Sequence, residues 1–442
     1  MSNLMGDTQL PTIIATIFSF LNENVEYAVL RNYDGLPIKN QSRDIDILID
    51  RNSFSKIKKD LVRLIGKSNF KIITYFNSER ICTFVCGQYN SEPSIFQLDF
   101  FFHTSAFGAI LLSSECALKD RVYNGWIYHV TEKYMFLDKY LYLKYIGSTF
   151  PEKYDWLKSQ MYNNVELNHT LQELFKIESF DILEAMSTTK FRRLILRRNA
   201  KMFFKADIIN RCHFYVSYIK NYILGKGYSI SFTGPDGIGK TTVINEIEAF
   251  LKTVYSNTHL YHFRPSMFGN LSDMAHSAGI KKTVDRDYSK PHRGNKTSKL
   301  SSFLRLLYYS IDYIAGYYSQ IRLIIRKRGI IIFDRYYTDI ICDSRRTRIY
   351  LNHKFLHHFG RMFIPSLNYN ILLTADSNTI LTRKRELDKE EIESINRKID
   401  YLATQKGYYK VLNNGTPQEA VTKILHIVFD QQHRKNLKRL NI

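Results

Sequence analysis

The sequence is poor in residues that staple or break a chain: five cysteines, nine prolines and two tryptophans in 442 residues. The cysteines (Cys82, Cys86, Cys116, Cys212, Cys342) are scattered and odd in number. Cys82 and Cys86 have no second Cys or His pair at metal-ligand spacing. Neither a disulfide framework nor a zinc site is indicated, and reduced thiols of a cytoplasmic protein are expected. Long apolar runs are also missing. Ile13 to Leu21 is too brief to span a bilayer, and Leu306–Ile325 carries Asp312 and Arg322, so no transmembrane helix is expected. The first residues include Asp7 and no basic stretch, unlike a secretory signal. Acidic side chains are the last deficit, 42 against 63 Lys and Arg, a net charge of +21.

What is present is ordinary for globular domains: 44% hydrophobic and 24% charged residues. The length predicts two or three domains. The charge divides them. Residues 1–100 are neutral, 101–186 carry −3, and 187–442 carry +24. The second part therefore expects an anionic partner. Residues 187–226 hold ten Lys or Arg and one acid, Asp207, interleaved with apolar residues. They read as a basic helical linker, either a solvated face or an interfacial helix that meets anionic lipid or a polyanionic substrate. The domains expected are 1–186, this linker, and 227–442.

Alternating apolar patterns predict the elements. In the first part these are a helix over 12–22, strands over 25–31, 44–50, 71–76, 81–85 and 94–102, and a helix over 53–65 with Ser53 as N-cap. Helices follow over 130–185. From 228 onward strands and helices alternate: strands over 228–232, 259–263, 330–333, 369–374 and 409–412, and helices over 240–254, 300–326, 376–406 and 417–429. Such alternation predicts an α/β fold with a parallel sheet flanked by helices.

Gly234-Pro235-Asp236-Gly237-Ile238-Gly239-Lys240-Thr241 fits G-x-x-x-x-G-K-[ST] between a predicted strand and a predicted helix. Glycines let the backbone curl its N–H groups around a phosphate, and the next helix adds its positive end. Lys240 supplies a point charge to the β/γ-phosphates, and the Thr241 hydroxyl suits Mg²⁺, with Thr242 beside it. The cofactors expected are therefore ATP and Mg²⁺, held by Gly234, Gly237, Gly239, Lys240, Thr241 and Thr242. Next, the apolar run Ile330–Phe333 delivers Asp334-Arg335-Tyr336 to a strand end. An acid there can hold Mg²⁺ and an arginine can fork onto a phosphate. Alone, such a pair is often a structural ion pair. Last, Thr382-Arg383-Lys384-Arg385-Glu386 after a strand suits a helical lid whose arginines cover phosphates.

Residues 228–430 resemble the thymidylate kinase family of P-loop nucleoside monophosphate kinases. The resemblance implies that Asp236 contacts the acceptor's sugar, that Arg335 and Arg264 contact its phosphate, and that Arg383 and Arg385 belong to the lid. Dedicated thymidylate kinases follow the triplet with a Ser and an Ala-Tyr-Gln run that reads the base. Here Tyr337 to Arg348 replaces it, bringing Arg345, Arg346 and Arg348. The connection after the second strand is long and carries Lys281, Lys282, Arg286, Lys290, His292 and Arg293. This pattern resembles thymidylate-kinase-like proteins of bacterial surface polysaccharide gene clusters. It implies an acceptor other than dTMP, bound by Arg264, Tyr336, Arg345, Arg346 and Arg348, with Lys240, Asp236, Asp334, Arg335, Arg383 and Arg385 serving catalysis and Thr241 and Asp334 the metal.

In the first part, Asp44 and Asp46 stand two apart on a predicted strand, hence on one face. Asp99 lies on a later strand. Three acids on two strands suit shared divalent metal. Residues 1–130 resemble the nucleotidyltransferase superfamily, with Asp44, Asp46 and Asp99 as its metal carboxylates. That superfamily's upstream Gly-Ser turn is replaced by Leu30-Arg31-Asn32-Tyr33. Three readings stay open: an active domain in which Arg31 holds phosphate, a binding or degenerate domain, and an unrelated α/β domain with surface acids. For the whole chain the leading expectation is an ATP-dependent kinase acting on a small anionic acceptor. The alternatives are an ATP-binding regulatory module and, from the charge, a nucleic-acid-directed enzyme. No specific nucleic acid is expected as partner. Peripheral contact with anionic membrane or glycolipid and a homodimer are compatible with the sequence.

Overall fold

The computed structural model describes residues 9–39, 42–89, 93–202, 204–224, 227–264 and 297–442. The basic stretch 281–293 lies outside the described residues. The chain divides into one unit of residues 1–220 with 429–442 and a second of 221–428. The basic stretch expected as a linker thus falls almost wholly in the first unit. It forms two helices, Thr188–Met202 and Phe204–Leu224.

Among the described residues of the first unit, nine strands are β1 (Tyr27–Val29), β2 (Asp44–Ile49), β3 (Lys71–Asn77), β4 (Ile81–Tyr89), β5 (Pro93–Phe101), β6 (His103–Ala106), β7 (Ala109–Ser113), β8 (Val122–Tyr123) and β9 (Tyr128–His129). Seven make a mixed sheet in the order β3-β4-β5-β2-β1-β9-β8, and β6 and β7 pair as a hairpin. β2 and β5 run parallel, with Asp46 opposite Asp99. Helices Gln9–Asn24 and Arg51–Lys67 pack apolar stripes against the sheet: Ile13, Ile17, Phe18 and Leu21 from one, Phe54, Leu61 and Ile65 from the other. The second starts two residues earlier than the spacing predicts. Its N-cap is Asp50, whose carboxylate accepts from the Ser53 N–H at 2.9 Å. Ser53 is thus the donor in the cap that it was expected to make. A second core gathers the hairpin with helices Glu132–Ile146, Val165–Phe175 and Thr188–Met202.

The edge strand β3 is closed by the chain's last residues. Lys71 pairs with Asp430, the Ile72 N–H donates to His433 Nδ1 at 3.0 Å, and Asn436 Nδ2 donates to the Ile72 carbonyl at 2.9 Å. An unpaired edge invites association, and these contacts cover it. The helix expected over 417–429 in fact runs from Pro417 to Leu440.

The second unit holds β10 (Tyr228–Thr233), β11 (Thr258–His262), β12 (Ile330–Asp334), β13 (Tyr369–Thr374) and β14 (Tyr408–Leu412). All are parallel, ordered β11-β12-β10-β13-β14. Ile330 to Phe333 and the whole of β13 are buried, as expected for interior strands covered on both faces. The chain leaves β10 for one edge, returns through β12, then passes to β13 and β14 at the other. In open α/β sheets, ligands bind at the carboxyl ends where the order reverses.

Candidate functional site

β10 ends at that position and passes into the Gly234–Thr241 loop, and helix Lys240–Val254 follows. Gly237 and Gly239 take φ of 84° and 89°, a left-handed backbone that side-chain-bearing residues rarely adopt. Lys240 is buried and donates to the Gly234 and Pro235 carbonyls at 2.8 and 3.1 Å. Burial lowers it to about 8, with the Arg335 charge adding to the shift and Asp236, Asp339 and Asp334 opposing it. Thr241 and Thr242 are exposed on the first turn.

Asp236, inside the loop, is the hub of an ionic network. Its Oδ1 accepts from Arg335 Nη2 at 2.6 Å, its Oδ2 accepts from Arg346 Nη2, and Lys240 Nζ lies 3.7 Å from it. Arg335 has φ of 75°, outside the usual region for arginine, and its second amino group reaches both Asp339 oxygens at 3.3 Å. Asp339 is buried, and burial raises its pKa against the pull of Arg335. Asp343 accepts from the Arg346 N–H at 3.0 Å. Asp334, at the end of β12, has one oxygen 3.3 Å from His262 Nδ1. Its other oxygen is buried without a hydrogen-bond partner among the described residues. That orphaned acceptor, the buried lysine and the curled glycine loop fit a magnesium-bound triphosphate.

Lys240, Asp236, Arg335 and Arg346 therefore come together. The other expected contacts are placed differently. Arg264 is buried and pairs with the buried Asp312 at 2.8 Å, beside the Tyr308 and Tyr309 rings. Tyr336 is buried between Phe333 and Tyr313, and its hydroxyl donates to the Pro365 carbonyl at 2.9 Å, so its ring packs the core. Arg345 pairs with Glu391. Arg348 is half-buried, with its backbone carbonyl accepting from Thr297. Arg383 donates to the Asn413 and Gly415 carbonyls at 2.8 and 2.9 Å and touches the loop through the Ile238 carbonyl at 3.5 Å. Arg385 is exposed.

Sequence reasoning missed Asp339, Asp343 and Asn413. The first two had a signal in their four-residue spacing from Arg335, although of the three only Asp339 lies within the short helix Tyr337–Cys342. Asn413 had none. It donates to the Ile238 carbonyl of the loop at 2.7 Å from 175 residues away.

In the first unit, Asp44, Asp46 and Asp99 offer oxygens within 4.8 Å of one another, the one such group of acids, histidines or cysteines among the described residues. Asp46 and Asp99 are buried and Asp44 is exposed. Burial pushes Asp46 up to about 6, Arg31 pulls it down, and Asp99 and Asp44 push it up again. Burial also raises Asp99, against hydrogen bonds from Thr83 at 2.5 Å and Gln97 at 2.8 Å. Arg31 donates to Asp46 and lies 3.8 Å from Asp138. Near it Lys139 and Lys153 lie over the Tyr154 ring at 4.2 and 5.0 Å, and burial and the Arg31 charge lower Lys139. Three hard oxygen donors with adjacent cations fit a divalent ion and a polyphosphate.

No family of known proteins matches the sequence, and no curated protein is significantly similar to it. Among solved structures it is similar to thymidylate kinase from Ehrlichia chaffeensis, with 15% identity over 46% of this chain and 98% of that one, at a TM-score of 0.32. It is also similar to thymidylate kinase from Candida albicans, with 20% identity over 47% of this chain and 94% of that one, at 0.33. At these scores the likeness carries no functional argument, and the site is read from its own geometry.

Proposed function

We infer that residues 221–428 form an ATP-dependent phosphotransferase that moves the γ-phosphoryl group to a small anionic acceptor. The observation that carries this is the convergence of Lys240, Asp236 and Arg335 on the glycine loop at the carboxyl end of β10 and β12. Phosphoryl transfer demands positioning and charge neutralisation more than covalent help. The loop N–H groups and Lys240 would hold the triphosphate, and Thr241 and Asp334 would hold Mg²⁺, which offsets phosphate charge when bound. Asp236 is the one acid in the loop and would orient the acceptor hydroxyl or phosphate. Arg335 and Arg346 are already gathered on Asp236 and can turn to an incoming phosphate. The acceptor class is a nucleoside monophosphate or a phosphorylated sugar of the kind used in surface polysaccharide assembly. Arg346, which follows Tyr336 where a base-reading run would stand and reaches the loop acid, supports an acceptor richer in negative charge than dTMP.

The test is ADP release on a panel of dTMP, other nucleoside monophosphates, sugar phosphates and glycolipid phosphates. Removing one charge-stabilising group typically costs about 10²–10³ in rate, and Lys240→Ala should cost at least that while remaining folded. A folded Lys240→Ala protein with undiminished turnover would sink the kinase reading. Rapid turnover with dTMP alone would overturn the acceptor reading.

A second reading concerns the first unit, where the convergence of Asp44, Asp46 and Asp99 favours a divalent-metal nucleotidyl transfer site. A bound ion would neutralise triphosphate charge. Arg31, Lys139 and Lys153 would bind the phosphates. Mn²⁺ titration of the wild type and of Asp44→Asn/Asp99→Asn tests it, because equal binding by both would remove the site.

A further inference from the structure

Helix Phe204–Leu224 is mounted with its polar face inward. Asp207 and Asn210 are buried. Asp207 accepts from Asn199 Nδ2 at 2.6 Å and from the Ile110 N–H at 3.3 Å, and it pairs with Arg211 at 2.6 Å. Asn210 Nδ2 donates to the Gly108 carbonyl at 2.8 Å. The opposite face is apolar and exposed: Phe204, Ile208, Tyr215 and Ile219. At about 100° per residue these four and Cys212 fall within an arc of roughly 80°. Ile209 and Val216 lie beyond Lys205 on one side of it and Tyr218 beyond Arg211 on the other, and all three are exposed. Phe214 is half-buried against Phe107 on the inner side, but most of the helix's large apolar side chains stay outside, unlike the usual amphipathic mounting, in which the apolar stripe meets the core.

The preceding helix, Thr188–Met202, forms with the end of helix Val165–Phe175 a cavity of about 640 Å³. Its lining includes Lys176, Lys190, Arg193, Arg197, Arg198 and Lys201, against the single acid Glu173. Arg198 is engaged with the Ile110 and Leu111 carbonyls. The other five cations make no ion pair among the described residues. The apolar lining includes Leu194 and the exposed Met202, two residues before the apolar arc begins.

We propose that this face docks on an anionic lipid bilayer, with lipid phosphates in the basic cavity and the Phe204–Ile219 arc laid into the interface. Charge selects this occupant. A second copy of the chain would bring its own five cavity cations against these, which repels, whereas an anionic surface neutralises them. No described helix is long and apolar enough to cross a membrane, so the helix lies in the plane of the surface. Docking there would place the chain where anionic or lipid-linked acceptors are concentrated, but it does not depend on the kinase reading.

The test is co-sedimentation of the full chain with phosphatidylcholine vesicles, with and without about one-third phosphatidylglycerol, alongside a polarity-sensitive fluorophore on Cys212. Binding should require phosphatidylglycerol and shift the fluorophore emission to the blue. Arg193→Gln/Arg197→Gln/Lys201→Gln removes three cations and should weaken binding roughly 100-fold. Ile208→Ser/Tyr215→Ser/Ile219→Ser should abolish the blue shift and weaken binding at least about tenfold. Both variants change exposed side chains, and unchanged thermal melts would show that they fold. Equal binding to both vesicle types, or undiminished binding by either variant, would overturn the proposal. So would binding of tripolyphosphate without vesicle binding, which marks a soluble-anion site. A dimer dissolved by the apolar variant, again without vesicle binding, marks self-association and overturns it too. ADP release by the same variants reports separately on the kinase site, none of whose residues they touch.

Discussion

Replacing Asp46 by Asn should stabilise the first unit, although it deletes a partner of the half-buried Arg31. Asp46 has its carboxyl raised from 3.8 to about 6, first by burial and then by Asp99 and Asp44 against the pull of Arg31. A raised folded-state value means that the native protein prefers the protonated acid. The associated stability is full below pH 3.8 and is lost as pH rises through about 6. Above that range the ionised carboxylate burdens the fold by about 3 kcal/mol, two units at 1.36 kcal/mol each. Asn cannot ionise and escapes this penalty, and Arg31 keeps Asp138 at 3.8 Å. In a unit of this size, 1 kcal/mol moves the melting temperature by roughly 2–4 °C, so the variant should melt about 6–12 °C higher at pH 8 in EDTA. Near pH 4 the two proteins should melt together. Saturating Mn²⁺ should close the pH 8 gap from the wild-type side, because an ion supplies the charge that the carboxylates lack; at a hundredfold excess over Kd it adds about 2.7 kcal/mol. Calorimetric melts at the two pH values, with and without metal, make the comparison. A variant less stable than wild type at pH 8 in EDTA, or a gap of the same size at both pH values, would refute the reasoning.

Three further outcomes are expected. Lys240, lowered to about 8 by burial, should regain its proton when phosphates arrive. ATP binding at pH 8.5–9 should therefore take up a substantial fraction of a proton, read by calorimetry in buffers of different ionisation enthalpy, and Lys240→Ala should take up none. Arg346→Gln breaks one of two guanidinium contacts to Asp236 and should cost roughly 1–3 kcal/mol in denaturant melts, less than the loss of a buried pair's only partner. Gly360→Ala would set a Cβ 2.1 Å from the buried Tyr337 ring, whose hydroxyl is fixed on the Leu356 carbonyl, and should cost roughly 1–3 kcal/mol in the same melts.

Whatever one short segment encodes was legible before folding. The glycine loop with Lys240 lies within eight residues, and its backbone geometry follows from its glycines. The burial of Ile330–Phe333 and the delivery of Asp334 and Arg335 to a strand end follow from an unbroken apolar run. The shared face of Asp44 and Asp46 follows from the two-residue period of a strand. Tertiary structure decided what depends on register and on distant segments. Asp99 joins the other two acids only because β5 lies parallel to β2 with Asp99 opposite Asp46. Arg346 reaches Asp236 across 110 residues, while Arg264, Tyr336 and Arg383 are drawn into internal contacts that their local sequence does not announce. The last helix overruns its expected end because β3 offers an open edge for Asp430, His433 and Asn436. The mounting of helix Phe204–Leu224 was likewise illegible. Periodicity shows that a helix has two faces, but only its partners, here Asn199 and the Gly108 and Ile110 backbone, decide which face is buried.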